Sequence, residues 1–353
     1  MHITEGIITG VPAAAYTAAG LAAVGWGAAA MKRFAARWPE KKPLLGMAGA
    51  FIFFISLIPI PAFTGTCTHP TGTPLAAILL GPAVGIALTG VSLLLQAAFF
   101  AHGGFGTWGA NVMALGVAGC LVGWSVFQVA RRLGLPLWAA GAAAGLLGDL
   151  AVYGVSGLIL GATLAHGPSP QYSQGGYLLA IYGMYLPTQL PIALGEMVLT
   201  GLLLSFAAKR RPEVLADLGI NPGPSSPKLR AAGGALLLLF ILALVWPVAA
   251  GASSATPASE PAVASQAAEA PALAGMDEAV NERLAEEAGV PARDPYLDTE
   301  SLGDLWNSLL LLAGGICGFI LGRWWHLLWG KKPAADPRPA APQGNWQEGP
   351  TCP

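Results

Sequence analysis

The chain has 353 residues, of which 54% are hydrophobic and only 10% are Asp, Glu, Lys or Arg. An ordinary soluble domain carries about 25% charged residues. A chain this poor in charge cannot cover a soluble surface, which excludes a cytosolic enzyme and leaves a polytopic membrane protein with mean hydropathy +0.58. The formal net charge of −1 conceals a segregation. Eleven acids and two bases lie between Gly251 and Asp304, so sixteen of the eighteen bases lie elsewhere. Such sorting marks the two sides of a membrane.

Apolar stretches fall in chain order at Pro12–Met31, Leu44–Ile60, Leu75–Phe100, Thr107–Ala130, Leu135–Leu164, Tyr177–Ala207, Leu229–Ala250 and Leu305–Trp329. Most reach the ~20 residues that cross hydrocarbon as helix. Their Gly- and Ala-rich faces suit close helix packing. Lys32, Arg33, Arg37, Lys41 and Lys42 follow the first stretch, and Arg131 and Arg132 the fourth. Lys209, Arg210, Arg211, Lys228 and Arg230 lie between the sixth and seventh. Placing these inside puts the N-terminus outside.

Parity then demands an even number of crossings between the first basic loop and Arg131, where three stretches are visible. Gly81-Pro82 breaks the third. The expectation is a short descending segment, Leu75–Leu80, and a returning helix, Ala83–Phe100. That gives seven spans through Ala207 and nine in all. The fold class expected is an all-α membrane bundle in residues 1–207, a cytoplasmic linker in 208–228 and a two-span module in 229–330. Within that module the outer loop is acidic and low in complexity, with a short helix over Met276–Gly289. The Pro/Ala-rich tail 331–353 is expected to be disordered.

The chemistry-bearing residues gather on the outer side of this topology. A free amine on Met1, the amide nitrogen of His2 and its imidazole Nδ1 can close two adjacent chelate rings on one metal. Deprotonating an amide needs a strongly polarising cation and favours a planar arrangement, which suits Ni(II) and Cu(II) and accommodates Co(II). His69, in the loop Thr64–Pro74 (TGTCTHPTGTP), is a candidate fourth nitrogen. The alternative is a loop histidine satisfied by backbone hydrogen bonds. Cys67, His102 and Asn111 are candidates to surround the ion, and His102 and His166 also read as solvated interfacial side chains. Asp149 and Glu196 sit inside apolar stretches, where an ionisable group is costly and often functional. Each otherwise caps a broken helix or bonds a neighbour such as Gln189. Cys120 and Cys317 read as packed small hydrophobes, and no paired cysteine spacing suggests a disulfide or zinc site. No phosphate loop, HExxH pair or GxSxG elbow occurs, so no ATP site and no catalysis are expected in this chain.

Four blocks, Met1–Gly6 (MHITEG), Thr64–Pro82 (TGTCTHPTGTPLAAILLGP), Ala101–Val112 (AHGGFGTWGANV) and Thr188–Thr200 (TQLPIALGEMVLT), resemble the CbiM family. These are the cobalt-specific substrate-binding components of energy-coupling-factor ABC transporters, with NikM as the nickel counterpart. The resemblance implies a metal held by the amine of Met1, the amide and imidazole of His2, and His69. It also implies CbiQ-like transmembrane and CbiO-like ATPase partners in the plasma membrane. Many members carry a cleaved signal peptide before this first block, whereas this chain begins with it. A weaker resemblance, to the accessory protein CbiN, covers Leu229–Gly330. The import of Co2+ for cobalamin synthesis is the function implied, with Ni2+ import the alternative and a non-transporting metal sensor a distant one.

Overall fold

The computed structural model describes residues 2–57, 60–61, 67–100, 102–220, 276–293 and 312. The expected spans at Leu229–Ala250 and Leu305–Trp329, and the tail, lie outside the described residues apart from Leu312. The described part is helical save for a two-residue antiparallel pairing of Ile60–Pro61 with Cys67–Thr68.

The long helices are α1 (Gly10–Arg37), α2 (Lys42–Leu57), α4 (Pro82–Phe99), α5 (Trp108–Arg132), α6 (Leu137–Ala165) and α7 (Gln174–Arg210). Five of these are long and apolar enough to cross a membrane; α2, at 16 residues, falls just short of that length. Large apolar side chains such as Leu121, Leu179, Val198, Leu202 and Phe206 stand exposed along α5 and α7. That is the pattern of a lipid-facing surface and not of a soluble one.

The expected half-helix is present as α3 (Thr73–Leu80), turning at Gly81 directly into α4. Gly81 has φ +86°, a conformation costly for a residue with a Cβ, and Pro82 opens α4 where its missing N–H costs nothing. At 1.5 Å per residue α3 rises about 12 Å and α4 about 27 Å. The start of α3 therefore lies well inside the bundle, and the loop before it must dip down to reach it.

The basic ends of α1 and α5 meet at one end of the bundle, where Arg37, Arg131 and Arg132 line one cavity with Asp217. There Lys41 pairs with Asp217 at 2.9 Å and lies over the Trp38 ring. Asp217 belongs to α8 (Pro212–Asp217), so the first part of the expected linker is folded, with Leu215 and Ile220 buried. At the opposite end, α9 (Met276–Glu287) docks on the bundle. Ala285 and Ala288 are buried, the Tyr185 hydroxyl donates to Asn281, and Ser169 N–H donates to the Ala288 carbonyl at 3.0 Å. The acidic helix read from the sequence is thus packed in place.

Close helix contact explains much of the glycine content. A side chain on Gly109 would collide with the Tyr16 backbone of α1. Gly109→Val is expected to lower stability by about 1–3 kcal/mol, the usual cost of overpacking, read as a lower unfolding midpoint in detergent. An unchanged midpoint would show that α1 and α5 can part without penalty.

Candidate metal centre

The first residues do not trail into solvent. His2, Ile3, Glu5, Ile7 and Ile8 are all buried, threaded back into the end of the bundle opposite the basic residues. Three features of the α4–α5 connection hold them. The Asn111 carboxamide accepts from Ile3 N–H at 2.8 Å and donates to the Ile3 carbonyl at 3.1 Å, gripping the two peptide groups that flank the Ile3 Cα. The Thr107 hydroxyl donates to that same carbonyl at 2.7 Å. The Glu5 carboxylate accepts from Gly106 N–H at 2.8 Å and lies against Gly104, where a Cβ would come within 2.6 Å of the Glu5 Cβ. Just past Asn111, α5 widens into a π-helical turn, Val112–Ala118. Such turns are frequent at functional sites.

This threading brings His2 to His69 and His102. Ring centroids are 5.1 Å apart for His2–His69, 4.0 Å for His2–His102 and 5.6 Å for His69–His102. One ligand atom from each lies within 4.8 Å of the others, a spacing that could hold a metal ion. His69 Nδ1 lies 3.2 Å from the Pro70 carbonyl, which can only accept. The proton is therefore on Nδ1 and the metal-binding lone pair on Nε2. Neither nitrogen of His2 has a hydrogen-bond partner of normal geometry among the described residues, though Gln96 stands beside the ring. Burial, reinforced by the neighbouring imidazoles, pushes His2 well below the usual histidine range, and burial does the same to His69. Both rings are neutral near pH 7, the form that binds metals.

The loop carrying His69 is held from beneath. The Glu196 carboxylate of α7 accepts from Thr71 N–H at 2.6 Å, Gly72 N–H at 2.8 Å and the Thr71 hydroxyl at 3.0 Å. It thereby caps the N-terminus of α3, where backbone donors lack helical partners. Asp149 of α6 accepts from the Gln189 carboxamide at 2.6 Å. Of the two sequence readings for these acids, capping and bonding to a neighbour describe the contacts seen.

Other expectations resolve unevenly. Met1 and the Cys67 side chain lie outside the described residues. His102 is not a solvated interfacial residue but the third ring of the cluster. His166 is exposed, its Nδ1 2.8 Å from the Ala162 carbonyl at the end of α6. Cys120 is fully buried among apolar neighbours, as expected. The anchoring roles of Thr107, Gly104 and Gly106 were not foreseen. The dense glycines of AHGGFGTWGANV were the available signal.

A multi-pass helical bundle that gathers three imidazoles, two of them buried, and its own N-terminal segment at one end is an integral membrane protein with a nitrogen-rich site of the kind transition metals occupy. Residues 2–214 match the CbiM family, described as the cobalt uptake substrate-specific transmembrane region. The cobalt transport protein CbiM of Geobacter sulfurreducens is 38% identical over 331 residues, covering 93% of this chain and 90% of that one. The CbiM of Salmonella typhimurium is 39% identical over 211 residues, covering 60% and 85%. A crystal structure of a transition metal transporter aligns with a TM-score of 0.51 at 25% identity, over 59% of this chain and 93% of that one. The chain belongs to the CbiM family and is a membrane component of metal uptake.

Proposed function

We propose that this chain captures Co2+ on the outer side of the plasma membrane and is the substrate-specific component of an energy-coupling-factor transporter. The observation that carries the reading is the buried approach of His2 to His69. The ligand set is the Met1 amine, the deprotonated His2 amide, His2 Nδ1 and His69 Nε2, four nitrogens around one ion. Asn111 fixes the peptide that follows the chelating amide, and Thr107 and Asn111 together fix the one after it. His102 stands close enough to approach the bound ion.

Cobalt is favoured because the relatives are named as cobalt transport proteins. Nitrogen ligands alone rank nickel above cobalt, so Ni2+ import is the second reading. CbiQ-like and CbiO-like partners supply membrane coupling and ATP hydrolysis, and the basic end faces the cytosol. The C-terminal module acts as a fused CbiN. Its acidic segment supports this by lying over the site, where Arg293 N–H donates to the Glu5 carbonyl at 2.7 Å.

Uptake of radioactive Co2+ and Ni2+ by cells carrying the full transporter tests this directly. Cobalt accumulation should require the ATPase partner and should fall to background with His69→Ala. Accumulation of nickel in preference to cobalt would transfer the assignment to the second reading. Binding without partner-dependent accumulation would make the protein a sensor.

A further inference from the structure

Among the described residues, Glu196 and Asp149 are the acidic side chains buried in the spans, and direct metal binding accounts for neither. Both are fully buried. Glu196 reaches across 125 positions of sequence to Thr71, two residues from His69. Its hydrogen bonds take up the two backbone N–H groups that open the His69 side of α3, together with the Thr71 hydroxyl. The Thr73 hydroxyl donates to that of Thr71 at 3.3 Å and extends the network. Gly72, with φ +68°, lets the chain turn over the carboxylate. Asp149 lies within hydrogen-bonding reach of Glu196 and is itself held by Gln189.

We propose that Glu196 is the positioning residue for His69: its carboxylate pins Thr71–Gly72, and so sets the depth and direction from which His69 Nε2 meets the metal. The proposal rests on the ligand set given above. The geometry of α3 makes such a tether necessary. Because α3 is a half-length helix starting inside the bundle, residues 69–72 just before it are buried, where free backbone donors are costly. One carboxylate satisfies them and fixes the loop at once. Asp149, with Gln189, holds the Glu196 carboxyl in turn. Removing Glu196 frees the loop to withdraw, and His69 leaves the site without having been mutated.

The test uses the full-length purified chain, titrated with Ni2+ and with Co2+, with the visible absorption of the bound ion as the second readout. Glu196→Gln keeps shape but sets an amide N–H2 against the N–H donors. It is expected to weaken binding by about 10–100-fold, the range for losing a group that orients a ligand, and to give the same spectrum as His69→Ala. Thr71→Val, which removes one of the three donors and leaves the carboxylate, should give a smaller loss in the same direction. It stands in if the Glu196 variants do not fold. Wild-type affinity and spectrum in Glu196→Gln, with a lower unfolding midpoint alone, would overturn the proposal. A wild-type spectrum in His69→Ala would instead remove the ligand assignment on which it rests.

Discussion

His2→Ala is expected to abolish metal retention, lowering affinity by at least about 100-fold, the upper end of what losing a mere orienting partner costs. The imidazole closes the second chelate ring, and without it the amide nitrogen is flanked on one side only, too little to offset the cost of its deprotonation. Two of the four proposed nitrogens are then lost together. The ring is buried between His69 and His102, so alanine also leaves a void at the centre of the cluster. Adding one residue ahead of Met1 should reproduce the loss with His2 intact, because it converts the terminal amine into an amide and displaces it from the first ring. Binding of Ni2+ and Co2+ to the purified variants, followed calorimetrically, reads both. Retention of tight binding by the extended chain would remove the amine from the ligand set.

The second large effect is expected from Gly104→Ala. A methyl group there collides with the Glu5 side chain, which the Gly104–Gly106 backbone encloses. Glu5 must move, and with it the segment that presents His2 three residues earlier. The helices themselves have no part in this contact. The outcome is therefore a folded bundle with an unchanged helical circular-dichroism spectrum and metal affinity reduced at least about 10-fold, comparable to loss of an orienting partner. Asn111→Ala should act in the same direction by releasing the Ile3 peptide. Limited proteolysis distinguishes the mechanism: an expelled N-terminal segment becomes cleavable near residues 5–9, and a merely weakened site leaves it protected. Full affinity in Gly104→Ala would mean that the loop yields and the seating of Glu5 is dispensable.

The sequence carried the architecture further than the site. Gly81-Pro82 announced the α3–α4 corner because a break inside an apolar run has few other physical meanings. The run of bases fixed which helix ends share a side, and the structure gathers them as parity requires. His69 could be nominated from its loop, but its depth depends on Glu196, 127 positions away, and pairing at that distance leaves no local pattern. His102 read as interfacial because its neighbours in sequence are glycines. Its approach to His2 follows from the turn at Gly103, φ +79°, and from the threaded N-terminus, which composition does not encode. The helix over Met276–Glu287 was visible in its residues. Its docking was not, because it rests on Asn281, Ala285 and Ala288 meeting groups from far earlier in the chain.

That last separation governs the order in which the protein is made. His2 through Glu5 leave the ribosome before any group that will grip them: Thr107 and Asn111 follow about a hundred residues later, and Arg293 nearly at the close of synthesis. The N-terminal segment must wait, unplaced, while α1 to α4 are inserted, and is drawn in only once its clasp exists. A ribosome stalled before residue 107 therefore leaves a membrane protein with its helices begun and the grip on its N-terminal segment unassembled.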